Sequence, residues 1–209
     1  MAGSVITVAQ QKGGSGKTTL AANLAIAFTQ MGKSVAVMDT DPQGSLGRWF
    51  MTRREARDGD AGLEFATASA WGVSYECEKL RKEADVVIIG TPPKIDADLR
   101  PALRESDLVI VPIATSHLDL WATDSVLELA SREDRSALLV LNRASARARI
   151  TAEVDAALDD LNADKAATVI GSRVAFAEAL GEGRGVTERA STPAAKEMRA
   201  LAEEVLTHL

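Results

Sequence analysis

Cysteine is almost absent from this chain, which has Cys77 and no other among its 209 residues. A single thiol cannot form a disulfide within the chain, and it cannot supply the ligands of a cysteine-rich metal site. The sequence therefore excludes a disulfide scaffold and a metal centre of that kind. We expect Cys77 to lie half-buried on a helix.

Long apolar segments and an excess of positive charge are also missing. No stretch resembles a transmembrane span, and residues 1–6 lead into an apolar strand without the basic segment of a secretory signal. We therefore expect a cytoplasmic protein. The formal net charge is −6, so attraction to nucleic acid or anionic lipid has to come from a local basic patch.

Short apolar runs alternate with helical patterns along the chain, whose length suits one sizeable core and predicts a single domain over residues 1–209. The runs are rich in Val and Ile, as in parallel strands buried on both faces. We predict strands at 5–9, 34–38, 86–89, 108–112, 137–141 and 168–170, and helices at 18–31, 74–83, 118–131, 151–161, 173–180 and 193–209. This alternation predicts a three-layer, doubly wound α/β fold with a mostly parallel sheet and helices on both faces. We expect the greatest flexibility at 53–62 and 181–185.

The most informative segment joins the first predicted strand to the first predicted helix. Its glycines permit a tight turn that directs N–H groups at phosphate oxygens, its second lysine can neutralise the β/γ phosphates, and the following threonine can bind Mg²⁺. The usual phosphate-loop pattern needs glycine at position 11, where this chain has Gln11, and it does not need a lysine at the loop entrance. The segment reads Lys12-Gly13-Gly14-Ser15-Gly16-Lys17-Thr18-Thr19.

With Lys12, this loop resembles the deviant Walker A motif of the ParA/MinD family, and the chain is most similar to small ParA-type partition and positioning ATPases. The resemblance implies a P-loop NTPase fold that binds ATP and Mg²⁺ through residues 12–19, with Lys12 and Lys17 acting in catalysis. It also implies a homodimer formed with ATP, in which Lys12 reaches the nucleotide of the partner. The nitrogenase iron protein shares this loop but needs more cysteines than Cys77 to hold its cluster.

A second loop follows the strand predicted at 34–38 and reads Asp39-Thr40-Asp41-Pro42-Gln43-Gly44-Ser45. Two carboxylates at the end of one strand can both face a phosphate and Mg²⁺ pocket. The loop resembles the D-x-D-P-Q motif of the same family. That resemblance implies that Asp41 orients the attacking water and that Asp39 lies, with Thr18, at the metal. The alternative is a solvated Asp-Pro turn.

The third loop departs from the family pattern. Relatives have an aspartate before Thr-Pro-Pro, and this chain has Gly90 before Thr91-Pro92-Pro93. Two explanations fit: drift toward weak hydrolysis with Asp39 serving the metal, or a substitution made to trap the ATP-bound state. We expect ATP binding to survive, and Mg²⁺-dependent turnover to lie below that of a Gly90→Asp variant.

Two further sets of residues carry functional hypotheses. Asn142 follows a predicted strand where relatives place a residue that contacts the adenine edge, although it can equally cap the turn. The resemblance implies non-specific DNA binding through basic residues in the C-terminal half. An exposed, solvated arginine face is the alternative. The candidates are Arg143, Arg147, Arg149 and Arg173.

The predicted function is a cytoplasmic, nucleoid-associated ATPase that positions a plasmid, chromosome region or protein cluster, with a ParB-like or adaptor protein that stimulates hydrolysis. A MinD-like membrane switch is a second possibility, but the tail 195–209 has mixed charge and no Trp or Phe, so we predict no membrane binding. A nucleotide-binding scaffold that scarcely hydrolyses ATP, or a ligase-like P-loop enzyme, also stays open. No helix-turn-helix precedes the first predicted strand, so operator recognition is not expected.

Overall fold

The computed structural model of the chain describes residues 2–69, 71–93, 99–189 and 191–209. Within these residues the strands are β1 (Ser4–Val8), β2 (Val35–Asp39), β3 (Glu64–Thr67), β4 (Val86–Gly90), β5 (Leu108–Ala114), β6 (Ala137–Asn142) and β7 (Asp164–Lys165). The helices of the same residues are α1 (Lys17–Gln30), α2 (Ser45–Ala56), α3 (Gly72–Glu83), α4 (Leu99–Glu105), α5 (His117–Trp121), α6 (Thr123–Arg132), α7 (Arg149–Leu158), α8 (Val174–Gly181) and α9 (Pro193–Leu206).

The strands form one parallel sheet in the order β3-β2-β4-β1-β5-β6-β7. Strands β2 and β4 are buried along their whole length, and β1 and β5 along nearly all of theirs. Their aliphatic side chains suit a sheet that is covered on both faces. Because β1, β2 and β4 are neighbours, the three loops singled out in the sequence follow adjacent strand ends.

The helices lie in two layers. On one face of the sheet, side chains such as Ile6, Ile88 and Ile110 pack with residues of α1, α2, α8 and α9. On the other face, Val87 and Val109 belong to two smaller clusters with residues of α3, α4, α6 and α7. The predicted three-layer α/β fold is therefore confirmed, with a sheet that is entirely parallel.

The apolar side of α9 is part of the core. These side chains pack with those of α1 and leave the exposed side of α9 polar, as expected for a helix that closes a layer. The buried residues of α9 are Ala194, Ala195, Met198, Leu201, Ala202 and Val205. In the part of the chain that the structure describes, no helix combines the length and the apolar character that crossing a bilayer requires.

Several predicted boundaries are wrong. The helix predicted at 118–131 is divided into α5 and α6, and the helix predicted at 193–209 ends at Leu206. The strand predicted at 168–170 is absent, since the last strand is β7 and only Gly171 makes an isolated bridge, to Ala144. Helices α2 and α4 and strands β3 and β7 were not predicted.

Each of the two segments that we expected to be flexible has buried residues, although 54–60, Gly62, Gly181, Glu182 and Arg184 are exposed. Residues 53–56 belong to α2, and the Arg53 side chain is only 3% exposed. In the other segment Gly183 and Gly185 are buried, and the carbonyl oxygen of Arg184 accepts a hydrogen bond from Trp49 Nε1 at 3.3 Å. Arg53 and these glycines serve the contact of α2 with the segment after α8, and flexibility of the exposed residues stays a prediction.

Candidate functional site

The phosphate loop lies between β1 and α1. Gly14 and Gly16 have φ angles of 84° and 99°, in the left-handed region that favours glycine. A Cβ atom at Gly16 would also lie 2.3 Å from Nδ2 of Asn142, so the Asn142 side chain would have to leave its place against the loop. Glycine at position 16 is therefore required both by the backbone and by its neighbour.

Lys17 lies inside the loop. Its Nζ donates to the carbonyl oxygen of Gln10 at 2.8 Å. Burial lowers the pKa of Lys17, and the nearby carboxylate of Asp41 opposes that shift. The hydroxyl of Ser15 is buried in the same loop and finds no hydrogen-bond partner among the described residues. A desolvated cation and a free hydroxyl suit a site for phosphate oxygens.

Lys12 is directed away from the loop toward α5. Its Nζ lies 2.5 Å from Oδ2 of Asp119 and 3.2 Å from Oγ of Ser116. The side chain of Asp119 is 4% exposed, and that of Lys12 is 35% exposed. The two lysines of the loop therefore have different partners: Lys17 turns inward to the loop backbone, and Lys12 turns outward to a buried carboxylate.

Ser116 and Asp119 are site residues that the sequence analysis missed. Ser116 caps α5, since its hydroxyl oxygen accepts a hydrogen bond from the backbone N–H of Asp119 at 3.2 Å. The spacing Ser-x-x-Asp is a known signature of a helix start and could have located α5. Nothing in that spacing indicates Lys12 as a partner, because the contact spans 107 positions of sequence.

The carboxylates of the second loop hold the start of α2. Asp39 is 4% exposed, and its two oxygens accept hydrogen bonds from the backbone N–H groups of Asp41 at 3.0 Å and Gly47 at 2.9 Å. Burial raises the pKa of Asp39, and these backbone donors oppose the rise. Asp41 accepts from the backbone N–H of Gln43 at 2.9 Å and is close enough to Lys17 to affect its pKa.

Thr18 and Asp39 carry oxygen atoms of the kind that Mg²⁺ prefers, and their place at the metal stays a prediction. Thr18 is the second residue of α1, after Lys17, and Asp39 ends β2. The described residues contain no cluster of three or more His, Cys, Asp or Glu side chains suited to a metal. Mg²⁺ needs no such cluster, because it keeps several waters and takes one or two carboxylates together with phosphate oxygens. A cation near Asp39 would also offset the burial of that carboxylate.

The third loop lies between the other two. Gly90 is paired with Val8 of β1 and Asp39 of β2, and its carbonyl oxygen accepts hydrogen bonds from N and Oγ1 of Thr40 at 3.0 and 2.9 Å. The hydroxyl of Thr91 donates to the carbonyl oxygen of Val8 at 2.8 Å. The three strand ends are thus fixed to one another, with no carboxylate at position 90.

Asn142 braces the phosphate loop. Its Nδ2 donates to the carbonyl oxygen of Ser15 at 2.8 Å, and its Oδ1 accepts from the N–H of Arg143 at 2.9 Å. Both ends of the amide are occupied by backbone, which supports the turn-capping alternative, and contact with a base stays a prediction. Beside Asn142 lies a groove of about 290 Å³ that Thr19 and Phe176 also line.

The four arginines proposed for DNA have different surroundings. Arg143 and Arg173 line the groove beside Asn142, and Arg173 is paired with Glu197. Arg149 starts α7 and lies 2.9 Å from Glu153, and Arg147 is exposed on the segment before it. The geometry therefore associates Arg143 and Arg173 with the edge of the phosphate loop, and DNA contact by all four stays a prediction.

Residues 6–186 match the family described as the CobQ/CobB/MinD/ParA nucleotide binding domain. The chain is 28% identical to the maintenance of carboxysome distribution protein A of Halothiobacillus neapolitanus, over 96% of this chain and 95% of that protein. It is 30% identical to the chromosome-partitioning ATPase Soj of Thermus thermophilus, over 98% of this chain and 96% of that protein.

Among solved structures, the septum site-determining protein MinD from Pyrococcus horikoshii, complexed with Mg-ADP, superposes with a TM-score of 0.78. The superposition covers 97% of this chain and 95% of that one, at 22% sequence identity. The fold of the two proteins is therefore the same.

Proposed function

Because the chain belongs to the CobQ/CobB/MinD/ParA nucleotide-binding family, we propose that it is a slow, Mg²⁺-dependent ATPase whose ATP-bound form is a dimer that positions a cargo. The observation that carries this proposal is the separation of the two loop lysines. Lys17 turns inward to the loop backbone, which supports phosphate binding within its own subunit. The side chain of Lys12 is directed away from the loop and is partly exposed, so it can reach a second subunit once it leaves Asp119.

Each residue of the site has a role in this proposal. The loop N–H groups and Lys17 bind and neutralise the phosphates, and Asn142 keeps the loop in its turn. Thr18 and Asp39 would hold Mg²⁺, which, when bound, neutralises charge on the phosphate oxygens. Asp41 orients the attacking water, since its carboxylate lies near Lys17. Phosphoryl transfer depends mainly on such positioning and charge.

Association with DNA is the second part of the proposal. A chain of net charge −6 needs a local basic surface to bind phosphates, and exposed Arg147 and Arg149 supply part of one. A dimer presents the surface twice, so ATP increases affinity without any new contact within a subunit. A partner protein that stimulates hydrolysis would end this state, at the nucleoid or wherever the cargo lies.

Gly90 favours a related candidate function, a nucleotide-dependent scaffold with very slow turnover. The strand end beside the phosphate loop carries no carboxylate at this position. Dimerisation would then serve as a long-lived signal, and its duration would depend on the partner protein.

Light scattering with ATP, ADP or no nucleotide tests the proposed function. The wild-type protein should double its mass with ATP alone. Lys12→Gln should bind ATP and stay monomeric, whereas Lys17→Ala should lose ATP binding because it removes the buried cation of the loop. A Lys12→Gln protein that dimerises like the wild type would contradict the proposal.

Titration with random-sequence duplex DNA tests the proposed association with DNA. Binding should require ATP and weaken steeply with salt. Arg147→Ala and Arg149→Ala should each weaken DNA binding for every DNA sequence. Lys33 is an exposed cation after α1, and its replacement in Lys33→Ala should leave DNA binding unchanged. Binding that is indifferent to ATP and salt would contradict a dimer-based DNA site.

A further inference from the structure

The end of β4 faces a leucine where a side chain at position 90 would extend. A Cβ atom built on Gly90 would lie 2.8 Å from Cδ2 of Leu46, which is too close for two carbon atoms. Side chains two residues apart in a strand share a face, so this atom would be on the face of Ile88, which packs in the cluster that includes α1. The crowded space is therefore on the side of the sheet where the phosphate loop begins its helix.

Leu46 is held firmly in that place. It lies in the first turn of α2, it is 2% exposed, and it belongs to the largest core cluster. The preceding Gly44 has a φ of 64°, and Asp39 accepts a hydrogen bond from the N–H of the following Gly47 at 2.9 Å. These restraints hold the backbone of the first turn of α2, so Leu46 has to make room by turning its own side chain, which the surrounding core opposes.

We propose that Gly90 and Leu46 form a matched pair, in which Leu46 fills the space of the missing carboxylate and makes the β4 side of the metal pocket apolar. This inference rests on the proposed function, because it concerns the same Mg²⁺ and ATP pocket. Within the described residues, the strand-end carboxylates left to the pocket are those of Asp39 and Asp41. Leu46 is thus a positioning residue that weakens the hold on Mg²⁺ and prolongs the ATP-bound state.

The Gly90–Leu46 pair limits the effect of a single Gly90→Asp substitution on Mg²⁺ binding and turnover. A Gly90→Asp side chain meets Leu46 before it reaches the metal, so the variant should be strained and gain little. The faster turnover expected of a restored carboxylate therefore belongs to the Gly90→Asp/Leu46→Ala double variant, in which the leucine has been removed.

Thermal unfolding without nucleotide or Mg²⁺ tests the packing. Gly90→Asp should lower Tm by roughly 5–10 °C through crowding, and Leu46→Ala should lower it by roughly 5–15 °C through a cavity. The double variant should lose clearly less than the sum of the two. Gly90→Ala, alone and with Leu46→Ala, repeats the comparison without a charge. Gly72→Ala is the control, since its added Cβ would meet nothing within 4 Å. If the losses of Tm are additive in both the Asp series and the Ala series, the proposal that Gly90 and Leu46 are a matched pair is wrong.

Binding of a fluorescent ATP analogue with Mg²⁺ and with EDTA tests the pocket. The ratio of the affinity measured with Mg²⁺ to the affinity measured with EDTA should be similar in the wild type and in Gly90→Asp. In the double variant this ratio should be about tenfold higher. An equal rise in Gly90→Asp alone would overturn the role of Leu46. If the wild type does not bind the analogue, the proposed function fails, and the unfolding comparison still decides whether Leu46 and Gly90 share this space.

Discussion

At the scale of single residues, the contact of Lys12 with Asp119 has a consequence for dimerisation. A lysine that serves a second subunit has to leave the partner that it has in its own subunit. Asp119 is buried, so it loses its counter-ion when Lys12 departs. In the proposed dimer, loss of this pair would therefore oppose association until bound ATP compensates for it.

Asp119→Asn should make dimerisation easier. The substitution keeps the shape of the side chain but removes the charge that holds Lys12, so the dimer should form at an ATP concentration several-fold lower. Mass measured across an ATP titration checks this. Asp124→Asn, which removes an exposed carboxylate from the start of neighbouring α6, is the matched control and should leave the curve unchanged. A higher ATP requirement in Asp119→Asn would contradict the restraining role.

Asp41→Asn should separate binding from hydrolysis. An asparagine can keep the turn by accepting from the N–H of Gln43, but it provides a weaker site for the attacking water. We expect ATP binding and dimerisation to persist while single-turnover hydrolysis falls about 100-fold. Asp60→Asn is the control, because the carboxylate of Asp60 accepts a similar hydrogen bond from the N–H of Gly62. An unchanged rate of phosphate release would remove Asp41 from catalysis.

The residues of the loops could be predicted from the sequence because each is adjacent to a strand end and belongs to a local motif. The contacts between motifs could not. Lys12 meets Asp119, Gly16 meets Asn142 and Gly90 meets Leu46 across long sequence separations. Such contacts depend on which strands are neighbours, and a single sequence does not contain that information.

At the scale of elements, a buried ion pair connects α2 to the segment after α8. Arg53 makes two hydrogen bonds to Glu188, both at 3.0 Å, and also donates to the carbonyl oxygens of Ala61 and Gly183. Glu188 has a lowered pKa, because Arg53 and the backbone N–H of Gly185 offset its burial. This link fixes the helix that carries Leu46 and begins at the Asp39 loop.

Arg53→Met should destabilise the fold. It leaves half-buried Glu188 with Arg57, whose Nη1 lies at 3.7 Å, as its nearby cation, and we expect a loss of about 3 kcal/mol. Tm should fall by roughly 6–12 °C. Arg54→Met, at an exposed position of the same helix, is the matched control and should change Tm little. Equal effects of the two substitutions would show that the pair contributes nothing.

The predicted elements were most accurate where apolar runs are continuous. Strands β1, β4, β5 and β6 lie close to their predicted bounds because burial on both faces leaves a plain signal. Edge strand β3 is half-exposed and pairs with β2 alone, so its sequence carries little pattern. Helix α2 was not predicted because one of its buried positions is Arg53. An arginine whose partner is unknown is expected at the surface, so the buried side of the helix could not be recognised.

At the scale of the whole molecule, Cys77 reports on the integrity of the core. The side chain is fully buried on α3, and burial raises the pKa of its thiol to about 12. The thiol is therefore both inaccessible and protonated in the folded protein at neutral pH. The expectation of a half-buried residue is corrected to full burial, which follows from the packing of α3 on β4.

A thiol reagent at pH 8 should label Cys77 only as fast as the protein unfolds. Rapid labelling should require denaturant, which exposes the thiol and restores its ordinary pKa. The control is Tyr75→Cys in a Cys77→Ala background, because Tyr75 is exposed on the same helix and its replacement should react at once. Fast labelling of the native wild type would contradict the buried environment.

In the proposed dimer, Lys12 of one subunit acts on the ATP bound by the other. Mixing Lys12→Gln with Lys17→Ala tests it most directly, with mass and phosphate release as readouts. The first variant binds ATP but lacks the lysine for its partner, and the second has that lysine but an impaired loop. We predict that neither variant dimerises or hydrolyses ATP alone, and that the mixture recovers an ATP-dependent heterodimer with one working site. A mixture as inactive as its components would contradict the account.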